Sequence, residues 1–307
     1  MAITVVGSYN TDIVMQVADF PQGGETVRAT ANYHLMDGGK GANQAVAASR
    51  LGQRVNFIGR IGEDVFGARA RKSLKTEGLD SDCLIIDEKS PTGMAQIMVN
   101  QLGENIISVA QGANGNLCIE DLERFASLVD ESDVFLAQLE VPWKTVAWGL
   151  ERCKAAGGTT ILNPAPAMPL SDRALSLVDV ITPNETEAQI LTGIEIQNEF
   201  DAHQAATELR SRGVSTVFIT MGGKGCYLLC DDYEGLISPC KALVVDTTAA
   251  GDTFNGALAV SIMEGKPMRE AARFANAAAA LSVEKLGAQA SMPYRKDVDQ
   301  TVVRKRI

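Results

Sequence analysis

The chain is poor in the residues that build metal centres and disulfide frameworks. Its two histidines, His34 and His203, lie far apart, and its six cysteines are scattered without a C-x-x-C pair. Strand-like alternation around Cys226 predicts buried thiols. Zinc sites and disulfide frameworks need ligands at short, regular spacings, so the sequence argues against both.

Long apolar runs and positive charge are also scarce. No stretch approaches the roughly 20 apolar residues of a transmembrane helix. The start, Met1-Ala2-Ile3-Thr4, lacks the basic residues of a signal peptide, and Asp12 interrupts the apolar stretch that follows. The net charge is −10, and the basic cluster Arg304-Lys305-Arg306 is interpreted as a terminal tail. Nucleic-acid binders usually present a basic face, so the acidic charge argues against a nucleic-acid partner. Because neither a membrane helix nor a signal peptide is predicted, we also expect a cytoplasmic protein without a membrane partner.

Short apolar segments alternate with helical patterns along most of the 307 residues. Strands are predicted over 3–7, 55–59, 134–137, 159–162, 178–181, 216–219 and 243–245. Helices are predicted over 43–51, 121–129, 144–156, 184–191 and 202–212, and from about 250 onwards. This alternation is typical of an α/β fold with a doubly wound, mostly parallel sheet, here as one domain spanning 1–307.

Two segments break the alternation. Residues 12–36 contain period-2 patches around the turn Pro21-Gln22-Gly23-Gly24, and residues 92–110 contain two β patterns separated by Leu102-Gly103-Glu104-Asn105. They are either edge strands of the main sheet or a small β-sheet lid over the strand ends, where ligands bind in open α/β folds. We expect the lid.

The run Asp246-Thr247-Thr248-Ala249-Ala250-Gly251-Asp252-Thr253-Phe254 is the most informative segment. A turn of Ala-Ala-Gly that opens a helix leaves backbone N–H groups free to bind an anion. An N-cap would be served equally by serine, so Asp252 calls for another explanation. A carboxylate beside an anion hole can accept a proton from a hydroxyl group while that hydroxyl attacks a held phosphate. The segment predicts phosphoryl transfer to an alcohol.

A second run, Asp37-Gly38-Gly39-Lys40-Gly41-Ala42-Asn43-Gln44, combines close backbone approach with a helix start near Ala42. It is not a P-loop, because Gly41 follows the lysine where Ser or Thr should stand. A tight turn is the simpler alternative. Next to the 249–252 turn, however, a polyol site is favoured, since Lys40 and Asn43 can both donate to hydroxyl groups.

Further polar residues follow predicted strands. Asn10 and Asp12 share one side of an extended segment, or else cap a turn. Glu140 ends the apolar run 134–139. Asn184 begins a helix as a site residue or a plain N-cap, and the glycines of Thr220-Met221-Gly222-Gly223-Lys224-Gly225 permit close phosphate or nucleobase approach.

These runs, together with Asn163-Pro164-Ala165-Pro166 and Pro183-Asn184-Glu185-Thr186-Glu187, resemble the ribokinase-like carbohydrate kinases. The resemblance covers about residues 3–293. It implies an α/β body with a β lid that also forms a homodimer interface, and ATP-dependent phosphorylation of D-ribose at O5.

The resemblance also implies a role for each matching residue. The sugar would contact Asn10, Asp12, Gly39, Lys40, Gly41, Ala42, Asn43 and Glu140, with Asp252 as the base. The N–H groups of Ala250, Gly251 and Asp252 would stabilise the transferred phosphoryl group. ATP would lie against Asn184, Thr220, Met221, Gly222, Gly223, Lys224, Gly225, Gly251 and Asn276. Asn184 and Glu187 would lie near the magnesium-bound phosphates, Glu187 acting on the metal indirectly. Potassium would be held near Asp246, Thr248, Ser282, Lys285, Gly287 and Ser291.

The sugar is the least determined part. Asn10 and Asp12 favour ribose, because a site that binds a 2-hydroxyl rejects an analogue that lacks it, and deoxyribose-preferring relatives tend to be apolar at the Asn10 position. A related kinase for deoxyribose, a nucleoside or a ketohexose remains the alternative. A sugar-binding regulator would not need Asp252. A Rossmann dehydrogenase would need a second glycine that Gly7-Ser8-Tyr9-Asn10 lacks.

Overall fold

The computed structural model describes residues 2–304, so Lys305 and Arg306 of the predicted basic tail lie outside the described residues. The strands are β1 Ile3–Val6, β2 Asn10–Gln16, β3 His34–Gly38, β4 Val55–Gly62, β5 Leu84–Asp87, β6 Gly93–Val99, β7 Asn105–Ala110, β8 Val134–Ala137, β9 Thr159–Leu162, β10 Val180–Ile181, β11 Thr216–Thr220, β12 Cys226–Leu229 and β13 Glu234–Ile237. The α-helices are α1 Lys40–Arg50, α2 Val65–Thr76, α3 Ile119–Glu123, α4 Ala126–Asp130, α5 Trp143–Ala155, α6 Asp172–Leu175, α7 Glu185–Thr192, α8 Glu199–Ser211, α9 Ala250–Met263, α10 Met268–Ser282 and α11 Arg295–Arg304.

The large sheet has the strand order β13-β12-β11-β10-β9-β8-β1-β4-β5. Its pairs are parallel from β5 to β11, and the β12–β13 hairpin adds two antiparallel strands at one edge. Alternate residues of the central strands enter different cores: Val5 and Leu136 pack with α1, α9 and α10, whereas Val6 and Ala137 pack with α5 and α8. This two-sided burial confirms the doubly wound, mostly parallel α/β sheet.

The two inserted segments form a separate four-stranded sheet of order β3-β2-β6-β7. The pairs β2–β3 and β6–β7 are antiparallel, and β2–β6 is parallel. The predicted lid is confirmed, with its first strand beginning at Asn10 rather than 12. Because β2 continues directly from the end of β1, the lid is attached where the carboxyl ends of the parallel strands meet.

Three predicted elements need correction. Residues 243–245 are not a strand: Leu243 and Val244 are 83% and 67% exposed, and the Val245 N–H donates to the Val283 carbonyl at the end of α10 instead of a sheet neighbour. The predicted helix over 121–129 is two helices, because Phe125 (φ −118°, ψ 22°) leaves the helical conformation. Helix α1 begins at Lys40 rather than near Ala42, with Gly39 as its N-cap.

Within residues 2–304, no helix combines the length and the apolar character needed to cross a bilayer. All six cysteines are free thiols. Cys226 is fully buried, as the sequence predicted, and burial raises the pKa of its thiol to about 12.

Candidate active site

The amino end of α9 presents backbone donors to the interior of a cleft. Ala249, its N-cap, has a left-handed backbone (φ 58°), which is uncommon for a residue with a side chain and typical of strained functional turns. Within residues 2–304, the N–H groups of Gly251 and Asp252 make no hydrogen bond, whereas the Ala250 N–H donates to the Thr247 carbonyl at 3.2 Å. Two free N–H groups at a helix amino terminus favour an anion. Ala250, predicted to share this role, already has an acceptor in this turn.

Asp252 lies in the first turn of α9 and is 6% exposed. Its Oδ2 accepts a hydrogen bond from Asn43 Nδ2 at 2.9 Å, and its Oδ1 accepts one from Gln44 Nε2 at 3.0 Å. Burial raises the pKa of Asp252, while Lys40 and the two amides act in the opposite direction. A carboxylate with a raised pKa binds a proton more strongly and is therefore a better proton acceptor. The contacts also fix its orientation.

Gln44 is a functional contact that the sequence analysis did not assign. Besides Asp252, its Nε2 donates to Asn163 Oδ1 at 3.0 Å, and its Oε1 accepts from Gln138 Nε2 at 2.6 Å. All four side chains are buried. A helix that starts at Lys40 places residue 44 one turn later on the same side. With that helix start, the sequence spacing would have indicated that Gln44 faces the site.

The residues predicted to bind the sugar meet at the junction of lid and body. Asn10 and Asp12 share one face of β2, opposite Gly38 and Met36 of β3. Burial, followed by the charges of Glu140, Asp37 and Asp252, raises the pKa of Asp12 to about 7. Within residues 2–304, the Asp12 carboxylate makes no hydrogen bond, so a ligand that supplies hydroxyl donors would compensate its buried charge.

The glycine-rich run brings the start of α1 against the start of β2. Gly39 has φ 87°, and a Cβ there would overlap the backbone of Tyr9 and Asn10. Gly41 and Ala42 lie buried inside α1, where the Ala42 N–H donates to the Ser8 carbonyl at 2.9 Å. Gly41 and Ala42 therefore contact the connection between β1 and β2.

Lys40 joins the sugar end of the site to the cleft. Its N–H donates to Glu140 Oε2 at 3.0 Å, and its side chain lines the cleft. Burial alone would lower the pKa of its ammonium group, but Asp252, Glu140 and Glu187 outweigh burial and raise it. The side chain is therefore a positive charge held among three carboxylates.

The cleft has a volume of about 1060 Å³, which is ample for a nucleotide. Seven of the residues predicted to contact ATP line it: Asn184, Thr220, Gly222, Gly223, Gly225, Gly251 and Asn276. Asn184 caps α7 in a reciprocal pair with Glu187, which also lines the cleft. Burial raises the pKa of Glu187, opposed by its bond from the Asn184 N–H and by Lys40. Asn184 is thus both the N-cap of α7 and part of the cleft wall.

Two residues predicted to contact ATP do not line the cleft. Met221 is 3% exposed and packs in the core beneath the sheet, and the Lys224 ammonium group lies 3.6 Å from a carboxylate oxygen of Glu185 at the surface. The glycines around them form the wall instead, because the turn Gly222–Lys224 presents its backbone there.

The segments predicted to hold potassium lie next to each other. Asp246 Oδ1 accepts from the N–H and hydroxyl of Thr248 at 2.9 and 2.6 Å, and its Oδ2 accepts from the Gly287 N–H at 2.8 Å. The hydroxyls of Ser282 and Ser291 donate to carbonyls within their own turns, and Lys285 is exposed. No group of three or more His, Cys, Asp or Glu side chains suited to a metal occurs in the described part of the chain. These turns offer backbone carbonyl oxygens as ligands, and such oxygens suit a weakly bound monovalent ion.

Comparison with known proteins places this geometry in a family. The model of the pfkB family of carbohydrate kinases matches residues 2–295. The chain is 44% identical over 295 residues to a ribokinase of Haemophilus influenzae, covering 96% of each. It is 35% identical over 297 residues to a deoxyribokinase of Salmonella typhimurium, covering 95% of this chain and 96% of that protein.

Solved structures agree with the sequence relatives. The structure of Arabidopsis thaliana ribokinase complexed with ribose and ATP has a TM-score of 0.91 and 36% identity, covering 98% of this chain and 99% of that one. A ribokinase of Thermotoga maritima has a TM-score of 0.90 and 36% identity, covering 99% of each chain. The chain belongs to the pfkB family of carbohydrate kinases.

Proposed function

We propose that this chain transfers the γ-phosphoryl group of ATP to the 5-hydroxyl of D-ribose, giving ribose 5-phosphate and ADP. The observation that carries the proposal is the position of Asp252. Its buried carboxylate accepts hydrogen bonds from Asn43 and Gln44. It lies at the amino end of α9, where the N–H groups of Gly251 and Asp252 make no hydrogen bond within residues 2–304. The 44% identity to a ribokinase supports ribose as the acceptor.

In the proposed reaction, Asp252 accepts the proton of the 5-hydroxyl as that oxygen forms a bond to the γ-phosphorus. The bond from the γ-phosphorus to the bridging oxygen breaks, and that oxygen leaves with ADP. Lys40 and the N–H groups of Gly251 and Asp252 counter the charge on the moving phosphoryl group. Phosphoryl transfer depends mainly on positioning and charge neutralisation, and a well-placed base contributes about 10²–10⁴ in rate.

The metal ions are a finer part of the proposal. Asn184 and Glu187, at the amino end of α7, would lie near the magnesium-bound phosphates, with Glu187 acting on the metal indirectly. When bound, magnesium neutralises phosphate charge. Potassium would be held by the turns that contain Asp246, Thr248, Ser282, Lys285, Gly287 and Ser291, several through backbone carbonyls. Hydrogen bonds from Thr248 and Gly287 outweigh burial and lower the pKa of Asp246, and its negative charge favours a cation nearby.

The lid is proposed as a homodimer interface. Strand β7 is exposed at every residue, and Ile107 and Val109 are 52% and 53% exposed. Its register with β6 and β2 puts both on the lid face that carries Asn10 and Asp12. A second copy would bury these apolar groups. Sedimentation should show a dimer that Ile107→Lys converts to monomer; a wild-type monomer at assay concentration contradicts this assignment.

A cytoplasmic location is also proposed, consistent with six free thiols.

The test of the proposed function is ADP formation with magnesium, ATP and potassium over D-ribose, 2-deoxyribose, D-fructose and adenosine. We expect selective turnover of ribose. Preferential turnover of another acceptor would contradict the substrate and keep the role of Asp252. Tight sugar binding without turnover of any acceptor would contradict the enzymatic proposal.

A further inference from the structure

Asn114 is a buried polar residue for which neither the sequence pattern nor the proposed reaction has a role. It is 1% exposed and lies in the short turn Gly112–Asn116 that follows lid strand β7. Its Oδ1 accepts from the Tyr9 N–H at 3.0 Å, and its Nδ2 donates to the Tyr9 carbonyl at 2.9 Å. Because the backbone groups of Tyr9 have fixed polarity, these two contacts leave the Asn114 amide only one orientation.

The same Nδ2 makes a second contact, to Asn10 Oδ1 at 2.8 Å. Since Asn114 can only donate there, Asn10 must turn its carbonyl oxygen toward Asn114. Its own Nδ2 is then directed elsewhere, and within residues 2–304 it makes no hydrogen bond. Asn10 therefore presents a hydrogen-bond donor, and its neighbour on the same face, Asp12, presents an acceptor.

The backbone around the pair accommodates this contact. In the register of β2 and β6, Asn10 lies beside Gly93. A Cβ at Gly93 would overlap both Asn114 Nδ2 and Asn10 Oδ1. The turn that carries Asn114 is itself held to the same segment, because the Ala113 N–H donates to the Pro91 carbonyl at 2.8 Å.

We propose that Asn114 is a specificity-positioning residue, which holds the Asn10 amide with its N–H₂ toward the sugar and so favours a pentose that carries a hydroxyl group there over its deoxy analogue. The proposal rests on the proposed function, with D-ribose and 2-deoxyribose as the discriminated pair. In this orientation Asn10 donates a hydrogen bond to the sugar hydroxyl that the deoxy analogue lacks. With Asn114 removed, the Asn10 amide can rotate, and the preference for the hydroxylated sugar is lost.

The test compares kcat/KM for D-ribose and 2-deoxyribose in Asn114→Ala and in Asn114→Asp. The second variant is nearly isosteric, keeps an acceptor for the Tyr9 N–H, and removes the donor to Asn10. The matched control is Asn116→Ala in the same turn, whose Nδ2 donates to Asp87 and Ser90 rather than to Asn10. We expect the ribose preference to fall by about tenfold in both Asn114 variants, the worth of one hydrogen bond, and to stay within about twofold in the control.

A double-mutant cycle separates positioning from folding. If Asn114 acts through Asn10, the Asn114→Ala change should alter the sugar preference by less than about twofold once Asn10→Ala is present. If both Asn114 variants lower turnover of the two sugars equally, the residue only clamps Tyr9 and the inference is wrong. A wild-type chain that prefers 2-deoxyribose would instead contradict the proposed substrate, and the inference with it.

Discussion

Replacing Gln44 by methionine tests the contact that the sequence analysis did not assign. The change removes one of the two amide donors to the Asp252 carboxylate, at 3.0 Å, and preserves side-chain length. A hydrogen bond to a charged group is worth about 1.5–3 kcal/mol, and its loss disfavours the charged form of Asp252. Burial already raises the pKa of Asp252, so the change should raise it further.

The sign of the effect follows from the role of the base. Asp252 must be unprotonated to accept the hydroxyl proton, so kcat falls on the acid side of its pKa. A higher pKa moves this acid limb to higher pH. Because kcat reports groups in the complex with substrate, kcat should be followed from pH 5 to 9 at saturating ribose and ATP.

Gln138→Met is the graded control. Gln138 donates to Gln44 Oε1 at 2.6 Å and, within residues 2–304, makes no hydrogen bond to Asp252. Its acid limb should shift less than that of Gln44→Met. An unshifted limb in Gln44→Met, at normal folding stability, would refute the reasoning that Gln44 sets the proton affinity of Asp252.

Three further predictions concern the sugar end and the lid. Asp12, with a pKa raised to about 7, should give kcat/KM for ribose an acid limb near pH 7, since the carboxylate accepts from a hydroxyl more strongly than the protonated carboxyl does; Asp12→Asn should lower kcat/KM and abolish that limb. A raised folded pKa also means that the charged form destabilises the free protein, so Asp12→Asn should raise Tm at pH 8 and have little effect on it at pH 4; an equal effect at both values contradicts this. Arg69 of α2 holds lid residue Asp37, with its Nε 2.9 Å from a carboxylate oxygen. Arg69 is partly exposed, so the ion pair is worth about 1 kcal/mol. Arg69→Met should therefore raise KM for ribose severalfold, whereas Arg71→Met, at an exposed position of the same helix, is the control. An unchanged KM in Arg69→Met contradicts a role in holding the lid.

The fold was largely predictable because burial leaves a strong periodic signal. Segments such as 134–137 and 217–219 are apolar at every position, as expected for strands covered on both faces. The run 243–245 has the same apolar pattern but lies exposed beside the cleft, and composition alone cannot distinguish the two. Helices α2 and α10 were not identified because small residues make up most of their buried faces, Gly67 and Ala70 in α2 and Ala271, Ala275 and Ala278 in α10, and small residues are a weak apolar signal.

The candidate site was predictable where a residue type and a turn coincide, as at Asp252 and Asn184. The contacts of Gln44 and Asn114 were not, because each depends on partners more than 90 residues away in the chain. A side-chain amide has no distinctive spacing of its own. Only the assembled strand ends show which acceptor it faces.

The role of Asp252 is tested most directly by Asp252→Asn, which keeps the shape of the side chain and removes its capacity to accept a proton. Ribose binding, measured by titration calorimetry, should remain within a few-fold of the wild-type value. In contrast, kcat with saturating ribose, ATP, magnesium and potassium should fall by about 10²–10⁴. A kcat within tenfold of wild type, with unchanged product, would contradict the assignment of Asp252 as the base.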